Sequence, residues 1–338
     1  MVPLTATLDP WLCMLANFLL RCSLKAPARQ QLQYFPLKTA RLYSGIPARS
    51  YSAQVDKTGR ITKGVGGIYT VFADGIYYKC TPRGVFRNTG ETPLVGDLVR
   101  IAVTSEEKKE ASLHTILPRK NCLTRPPAAN IGQVIITVCE KNPLFNQGLL
   151  DRFLLLAADA DLDILICVNK SSKEQELFEP YKLAGYDLVF TDALSGFGLP
   201  QLKRHMAGNL NLFAGASGVG KSSLINAINP GLNLETGVLS KKTSRGKHTT
   251  RHTEIFPLGQ GEEDGFCFDT PGFTSLDFSH IKKDNLSQLF REFLPYNHVC
   301  KFTNCKHIKE IGCAVKAQVG KTIHSLRYES YVKIFESL

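Results

Sequence analysis

The stretch Leu210-Asn211-Leu212-Phe213-Ala214-Gly215-Ala216-Ser217-Gly218-Val219-Gly220-Lys221-Ser222 decides the fold of this chain. It begins with five mostly apolar residues that suit a short buried strand, and its last eight residues satisfy the pattern G-x-x-x-x-G-K-[ST]. Apolar residues at helical spacing follow from Ser223 to Ile228. Glycines let consecutive backbone N–H groups turn inward on phosphate oxygens, and a helix N-terminus adds positive potential. This succession of strand, loop and helix predicts a nucleotide phosphate site in an α/β fold.

Two side chains of the phosphate loop have predicted roles. Lys221 is expected to reach the β- and γ-phosphates, and Ser222 is expected to ligate Mg²⁺. The alternative is a Gly/Ser-rich turn that binds no ligand, and the strand and helix on either side of the loop argue against it.

A second motif of the same site is Asp269-Thr270-Pro271-Gly272, which follows the short apolar strand Gly265–Phe268. A carboxylate at the end of that strand can hold the Mg²⁺ shell through water, and the Gly272 N–H can sense the γ-phosphate. Asp-x-Pro-Gly alone is a common turn, but its position downstream of a phosphate loop favours the nucleotide role.

The polar and basic segment 245–253 lies between these two motifs and predicts a switch loop. A hydroxyl of Thr250 or Thr249 is expected to complete the Mg²⁺ shell. The alternative is a plain solvated loop.

Phe273 stands where Ras-like enzymes place a glutamine that orients the attacking water. Phenylalanine cannot orient water, so hydrolysis is either slow or depends on another group. His248 is the predicted substitute, because an imidazole accepts a proton near neutral pH. The alternative is an exposed loop histidine with no part in the reaction.

A base-recognition motif comes early in the chain, where the apolar strand Asp163–Val168 ends in Asn169-Lys170-Ser171-Ser172. The usual guanine motif is Asn-Lys-x-Asp, and Ser172 holds the position of its carboxylate. A hydroxyl accepts one of the two hydrogen bonds that the carboxylate accepts from guanine, which predicts a loss of about 2–4 kcal/mol of base discrimination. Asp192-Ala193 occupies the place where Ser-Ala usually backs the base, with the Ala193 N–H toward guanine O6.

The order of the motifs is rotated relative to an ordinary GTPase, in which the phosphate loop comes first and the Asn-Lys motif comes late. This order is the signature of a circularly permuted GTPase. The predicted GTP-binding residues are Asn169, Lys170, Ser171, Ser172, Asp192, Ala193, Gly215, Ala216, Ser217, Gly218, Val219, Gly220, Lys221, Ser222, Ser223, Thr250, Asp269 and Gly272. Ser222, Thr250 and Asp269 form the predicted Mg²⁺ shell, and His248 is the predicted catalytic residue.

A possible metal site lies near the C-terminus, with the spacing Cys300-x4-Cys305-x-His307-x5-Cys313. Three thiolates and one imidazole suit tetrahedral Zn²⁺, and a site whose four positions are all filled by protein is structural rather than catalytic. A disulfide interpretation leaves one of the three cysteines unpaired. We therefore predict one structural zinc ion per chain.

The chain resembles the RsgA/YjeQ family of circularly permuted GTPases, which act in small ribosomal subunit biogenesis. The resemblance runs from about Gly59 to the end and has several independent motifs. These are Gly59–Ile61, Lys63–Gly67, Pro93–Asp97, Arg119–Asn121, Arg125–Asn130, Asn146, Leu149–Phe153, Gly246, His248–Thr250 and Cys300–Lys316. The family also has an apolar residue at the position of Phe273, and its switch histidine corresponds to His248. The departures from the family pattern are Ser172 and Asp192, which concern base specificity and not the fold.

The resemblance implies an α/β permuted P-loop GTPase domain with an N-terminal OB-fold β-barrel and a C-terminal zinc-binding helical subdomain. We predict an unmatched N-terminal extension at 1–56, the OB-fold at 57–118, the GTPase at 119–297 and the zinc subdomain at 298–338. The implied function is a ribosome-stimulated GTPase that assists late maturation of the small ribosomal subunit, binds rRNA and hydrolyses GTP. The alternative, motivated by Ser172, is an RNA-binding assembly factor with a weak or relaxed-specificity nucleotide site.

Composition agrees with a polyanionic partner, because 41 Lys and Arg residues exceed 30 Asp and Glu residues and give a net charge of +11. The predicted partners are GTP or GDP and the small ribosomal subunit with its rRNA, and the predicted state is a monomer. No stretch approaches the roughly 20 apolar residues that span a membrane. Scattered cysteines outside the zinc motif suggest free thiols in a reducing compartment, and we predict a cytoplasmic protein.

Residues 1–55 do not match the family, and they carry six basic residues against the single acid Asp9. Trp11–Leu20 is a short apolar run with no basic residue before it, which argues against a secretory signal. Three interpretations stay open: an organellar transit peptide, an upstream extension of the reading frame without function, and an RNA-binding arm. The first of these implies import into an organelle.

Overall fold

A computed structural model describes residues 56–83, 92–124, 127–232, 234, 253–269 and 281–338. All of them belong to one compact unit, Ser52–Leu338. The N-terminal extension and the proposals for it lie outside the described residues. No helix in the described part of the chain is long and apolar enough to cross a membrane.

The first part of the described chain is a closed five-stranded barrel with the order β1-β2-β3-β5-β4. The pair β3–β5 is parallel, and the other pairs are antiparallel. The strands are β1 Asp56–Val65, β2 Ile68–Ala73, β3 Ile76–Pro82, β4 Leu98–Ser105 and β5 Glu110–Ile116. A separate two-stranded ladder, β6 Cys122–Thr124 with β7 Pro127–Ala129, leads away from the barrel. The barrel confirms the predicted OB-type architecture.

Alternation along β3 sends neighbouring tyrosines to opposite sides of the barrel wall. Tyr78 is fully buried and its hydroxyl donates to Glu106 at 3.0 Å, whereas Tyr77 is 45% exposed. Tyr77, not Tyr78, is therefore available for contact with a partner.

A six-stranded sheet with the order β10-β9-β8-β11-β13-β12 forms the centre of the fold. Its strands are β8 Gln133–Val138, β9 Asp163–Val168, β10 Asp187–Phe190, β11 Leu210–Ala214, β12 Ile255–Pro257 and β13 Phe266–Phe268. Only the edge strand β12 runs antiparallel to its neighbour within this sheet. Every residue of β8 and β11 is buried, as expected of parallel strands that are covered on both faces.

Helices cover both faces of the sheet. They are α1 Gln147–Asp159, α2 Glu179–Leu183, α3 Leu199–Met206 and α4 Lys221–Ile228. Two further helices, α5 Ala314–Ala317 and α6 Ser325–Ser337, contribute Val315 and Tyr331 to a separate apolar cluster near the C-terminus. Leu150 and Phe153 of α1 pack into one apolar layer, and Leu202 of α3 and Leu224 of α4 pack into the other. The strand before the phosphate loop, β11, is the fourth of the six sheet strands in the sequence and lies between β8 and β13 in the sheet. In an ordinary GTPase the phosphate loop comes first in the sequence, so this order agrees with circular permutation.

The segment 286–294 forms two 3₁₀ turns, Leu286–Gln288 and Arg291–Phe293, rather than one continuous helix. Phe290 between them is extended, with φ −89° and ψ 104°. The rings of Phe290 and Phe293 both pack on Tyr331 of α6, at centroid distances of 5.2 and 4.9 Å. Packing on Tyr331 thus takes precedence over local helical propensity here. Two further 3₁₀ turns lie at Glu176–Phe178 and Glu262–Asp264.

Candidate nucleotide site and metal centre

The phosphate loop connects β11 to α4, and its shape depends on glycine at two positions. Gly215 has φ +131°, and a Cβ there would lie 2.1 Å from the carbonyl oxygen of Thr137. Gly220 has φ +96°, and a Cβ there would lie 2.3 Å from Asn169 Nδ2. Both positions are therefore closed to any side chain. The loop packs closely against Thr137 of β8 on one side and against Asn169 on the other.

Lys221 begins α4 and its ammonium lies against the loop itself. Its Nζ donates to the carbonyls of Gly215 at 2.8 Å and Ala216 at 2.7 Å. Burial lowers the pKa of Lys221 to about 8. A desolvated ammonium within this loop is a strong partner for phosphate oxygens, because the interaction takes place in a medium of low dielectric constant.

Asn169 ties three parts of the site together. It follows β9, is 2% exposed, and donates from Nδ2 to the carbonyl of Val219 at 2.9 Å. Its Oδ1 accepts from the Ala193 N–H at 3.3 Å and from the Thr191 hydroxyl at 3.4 Å. The segment that follows β9, the segment 191–193 that follows β10 and the phosphate loop therefore meet at the buried side-chain amide of Asn169.

Lys170 makes a second connection between the segment after β9 and the phosphate loop, at the protein surface. Its Nζ donates to the carbonyl of Gly218 at 2.8 Å and also to the carbonyl of Asn142. Sequence reasoning missed the part that Asn142 and Thr191 play, because each contributes one oxygen from outside the recognised motif.

The two departures from the usual guanine pattern, Ser172 and Asp192, lie in different surroundings. Ser172 is exposed next to the buried Ser171. Asp192 accepts a hydrogen bond from the Leu194 N–H at 3.1 Å. Hydrogen bonds from the Ser195 side chain and from the Leu194 backbone lower the pKa of Asp192. The Asp192 carboxylate is thus held by hydrogen bonds from its own loop.

The two described residues of the predicted Mg²⁺ shell lie at the same edge of the sheet. Ser222 is in the first turn of α4, and Asp269 directly follows β13, which is the parallel neighbour of β11. Hydroxyl and carboxylate oxygens are the hard ligands that Mg²⁺ prefers, so the donor set fits this ion. The predicted residues His248, Thr250 and Gly272 lie outside the described part of the chain, together with Thr249 and Phe273.

The four predicted zinc ligands come together in space. Their ligand atoms all lie within 4.8 Å of one another. His307 Nδ1 is 3.5 Å from Cys300 Sγ and 3.3 Å from Cys313 Sγ, and these two sulfurs are 4.0 Å apart. Ligands of a tetrahedral zinc ion lie roughly 3.5–3.8 Å apart, given Zn–S of about 2.3 Å and Zn–N of about 2.0 Å. The donor set and its spacing therefore fit one zinc ion.

Neighbouring groups support thiolates and fix the histidine. The backbone N–H of Ala314 donates to Cys300 Sγ at 3.3 Å, and that of Lys316 donates to Cys313 Sγ at 3.4 Å. His307 has φ +59°, and the Tyr328 hydroxyl donates to its carbonyl at 2.7 Å. Because Tyr328 belongs to α6, this helix holds the turn that presents the imidazole.

Comparison with known proteins shows the same architecture and the same order of domains. A family model described as RsgA GTPase matches residues 116–279, and a model described as RsgA N-terminal domain matches residues 58–111. The small ribosomal subunit biogenesis GTPase RsgA of Alkaliphilus metalliredigens is 41% identical over 283 residues, which cover 82% of this chain and 96% of that protein. The chain belongs to the RsgA GTPase family.

Solved structures of similar proteins agree. YjeQ from Thermotoga maritima is 34% identical, with a TM-score of 0.71 over 84% of this chain and 99% of that chain. YloQ, described as a circularly permuted GTPase, is 33% identical, with a TM-score of 0.70 over 86% and 97% of the two chains. Membership of the RsgA family confirms the predicted permuted fold and the prediction of a GTP hydrolase. The individual site residues and the domain boundaries stay predictions.

Proposed function

We propose that this RsgA-family GTPase assists late maturation of the small ribosomal subunit, to which it binds with GTP and from which it leaves after hydrolysis. The observation that carries the proposal is that the segment after β9, the segment 191–193 and the phosphate loop meet at Asn169. The chain is also 41% identical to a named small ribosomal subunit biogenesis GTPase over 96% of that protein's length. Its partners are then GTP or GDP and an rRNA surface. The monomeric state and the cytoplasmic location belong to the same proposal.

Within the nucleotide site, the backbone N–H groups of residues 215–223 bind the phosphates and Lys221 neutralises the β- and γ-phosphates. Ser222, Asp269 and Thr250 would hold Mg²⁺, which when bound neutralises charge that develops on the phosphate oxygens. Asn169 and Ala193 orient the base, and Lys170 covers it from the side of Gly218. His248 acts on the attacking water in place of the glutamine that Phe273 replaces.

Outside the nucleotide site, Cys300, Cys305, His307 and Cys313 hold one structural zinc ion. This ion fixes the C-terminal subdomain and supplies no chemistry, because protein fills all four of its positions. The barrel binds rRNA through exposed aromatic and basic side chains, of which Tyr77 is the best placed for stacking on a base.

The test is nucleotide turnover with GTP and with ATP, each with and without purified small ribosomal subunits. GTP hydrolysis is expected to be slow alone and to rise strongly with subunits. Lys221→Ala is the reference for background, because it removes the phosphate-binding ammonium. Absence of stimulation in the wild-type protein would contradict the ribosomal role. Equal turnover of ATP and GTP would favour the relaxed-specificity alternative that Ser172 motivates.

A further inference from the structure

The barrel contacts the nucleotide-binding sheet at the short ladder of β12 and β13, which ends at Asp269. Lys63 of β1 forms an antiparallel backbone bridge with Glu254, the residue before β12. Lys63 Nζ also lies 2.5 Å from Glu254 Oε2. A bulge in β1 between Ile61 and Lys63 accompanies this contact. Glu254 itself comes directly after the predicted switch segment.

Glu254 is bound to the nucleotide site on its other side. The backbone N–H of Asp269 donates to the Glu254 carbonyl at 3.0 Å. One residue thus joins the barrel through its side chain and the proposed Mg²⁺-shell carboxylate through its backbone.

The opposite end of the same ladder is also held by the barrel. Phe266 of β13 is 1% exposed and pairs with Pro257 of β12. The Phe72 ring meets the Phe266 ring edge-on at 5.8 Å, and the Arg60 guanidinium lies 5.1 Å from the centre of the same ring. Because the ladder is only three residue pairs long, we expect a displacement of the barrel against its two ends to reach Asp269.

We propose that Lys63 and Glu254 are positioning residues, which couple the position of the barrel to Asp269 and so to the rate of GTP hydrolysis. The proposal rests on the proposed function in one respect, namely that RNA bound to the barrel supplies the displacement. Both side chains are 41% exposed, and an exposed ion pair has a modest energy. The pair therefore tunes the rate by a few-fold and does not switch it on or off.

Charge reversal tests the coupling at saturating small subunits. In Lys63→Glu and in Glu254→Lys, the stimulated kcat is expected to fall by roughly two- to fivefold, the range that an exposed pair supports. The double variant Lys63→Glu with Glu254→Lys is expected to recover most of it. Because kcat is measured at saturating small subunits, a change in the attraction between the barrel and RNA does not by itself alter it. Single variants with wild-type stimulation, or a double variant without recovery, would overturn the proposal.

A matched control is Glu174→Lys. It reverses the charge of one partner in another exposed ion pair, in which Glu174 lies 3.4 Å from Lys182. This pair lies on the far edge of the sheet beside α2 and is expected to leave stimulation unchanged.

Hydrogen exchange decides the same question without ribosomes, because coupling between two sites is reciprocal. Amides of 56–65 are expected to exchange at different rates with Mg²⁺ and a non-hydrolysable GTP analogue than with GDP. This difference should shrink in each single variant and return in the double variant. A merely structural pair would change exchange equally in both nucleotide states and leave the difference intact. Should small subunits fail to stimulate the wild type, the proposed function fails and this exchange comparison still decides the coupling.

Discussion

Arg327 of α6 donates a hydrogen bond to Asp151 of α1, 176 residues earlier in the chain, and neither side chain is more than 1% exposed. Arg327 also donates to Glu292 at 2.6 Å, and the Ser330 hydroxyl donates to the second oxygen of Asp151. The guanidinium carbon lies 4.8 Å from the centre of the Phe290 ring. The C-terminal helix is therefore docked on the GTPase core through a buried charge network.

Arg327→Met is expected to destabilise the protein by about 3–5 kcal/mol, because it leaves Asp151 and Glu292 buried without a counter-charge. The double variant Arg327→Met with Glu292→Gln should regain part of that stability, since it removes one of the two uncompensated carboxylates. Denaturant unfolding of the folded protein measures both changes. Lys333→Met, an exposed substitution on the same helix, is the control. A loss below about 1 kcal/mol in Arg327→Met would show that water compensates the carboxylates.

Local patterns in the sequence predicted the parts of the site whose residues are neighbours in the chain. The stretch 210–222 combines a buried strand, three glycines with positive φ and a helix start within one window, and the structure has all of them. The four zinc ligands lie close in sequence, so their spacing alone predicted their convergence. The order of motifs predicted the permuted sheet for the same reason, because each motif marks the end of one strand.

Contacts between distant segments could not be predicted in this way. Asp151 stood within a recognised motif, but nothing local indicates that its partner is Arg327. Lys63 likewise belongs to a barrel motif, and its pairing with Glu254 depends on how the barrel is set against the edge of the sheet. Such contacts depend on tertiary packing, which composition and periodicity do not encode.

Zinc removal is expected to unfold the C-terminal part and to spare nucleotide binding. Metal analysis of the purified protein should give close to one equivalent of zinc per chain. Cys305→Ser should lower zinc content and expose the C-terminal region to proteolysis, because a closed four-ligand site contributes its binding energy to local folding. Cys122→Ser, at an exposed free thiol, is the control. Retention of a protease-resistant C-terminal part after chelation would contradict a structural zinc ion.

GTP affinity is expected to fall as pH rises above about 8, the pKa to which burial lowers Lys221. Bound phosphates favour the charged ammonium and so raise its pKa in the complex above that of the free protein. Binding is then strongest below the free-protein pKa, and it weakens as pH rises through it because a proton must be taken up. Titration of a fluorescent GTP analogue from pH 7 to pH 9.5 at constant ionic strength measures this. Lys221→Arg, whose charge does not titrate in this range, should bind more weakly but without the pH-dependent loss.

Ser172→Asp is expected to tighten GTP binding and to sharpen the preference for GTP over ATP by roughly tenfold or more. A recovered charge-assisted hydrogen-bond pair is worth about 1.5–3 kcal/mol. Ser172→Asn is the matched control, because it has a similar size to aspartate but no charge and a single acceptor oxygen. Competition of GTP and ATP for the site gives the preference in each variant. Strong selectivity in the wild type that does not change in Ser172→Asp would mean that another residue supplies the acceptor.

His248→Ala is expected to remove most of the subunit-stimulated GTPase rate and to leave nucleotide affinity nearly unchanged. The reason is that an imidazole acting on the attacking water contributes only in the transition state, so its loss lowers kcat and not binding. Single-turnover GTP hydrolysis with saturating small subunits, together with equilibrium binding of a GTP analogue, separates the two effects. His205→Ala, on α3, is the control and should respond to subunits like the wild type. If His248→Ala does the same, His248 is a loop residue and the group that activates water belongs to another residue or to the ribosome.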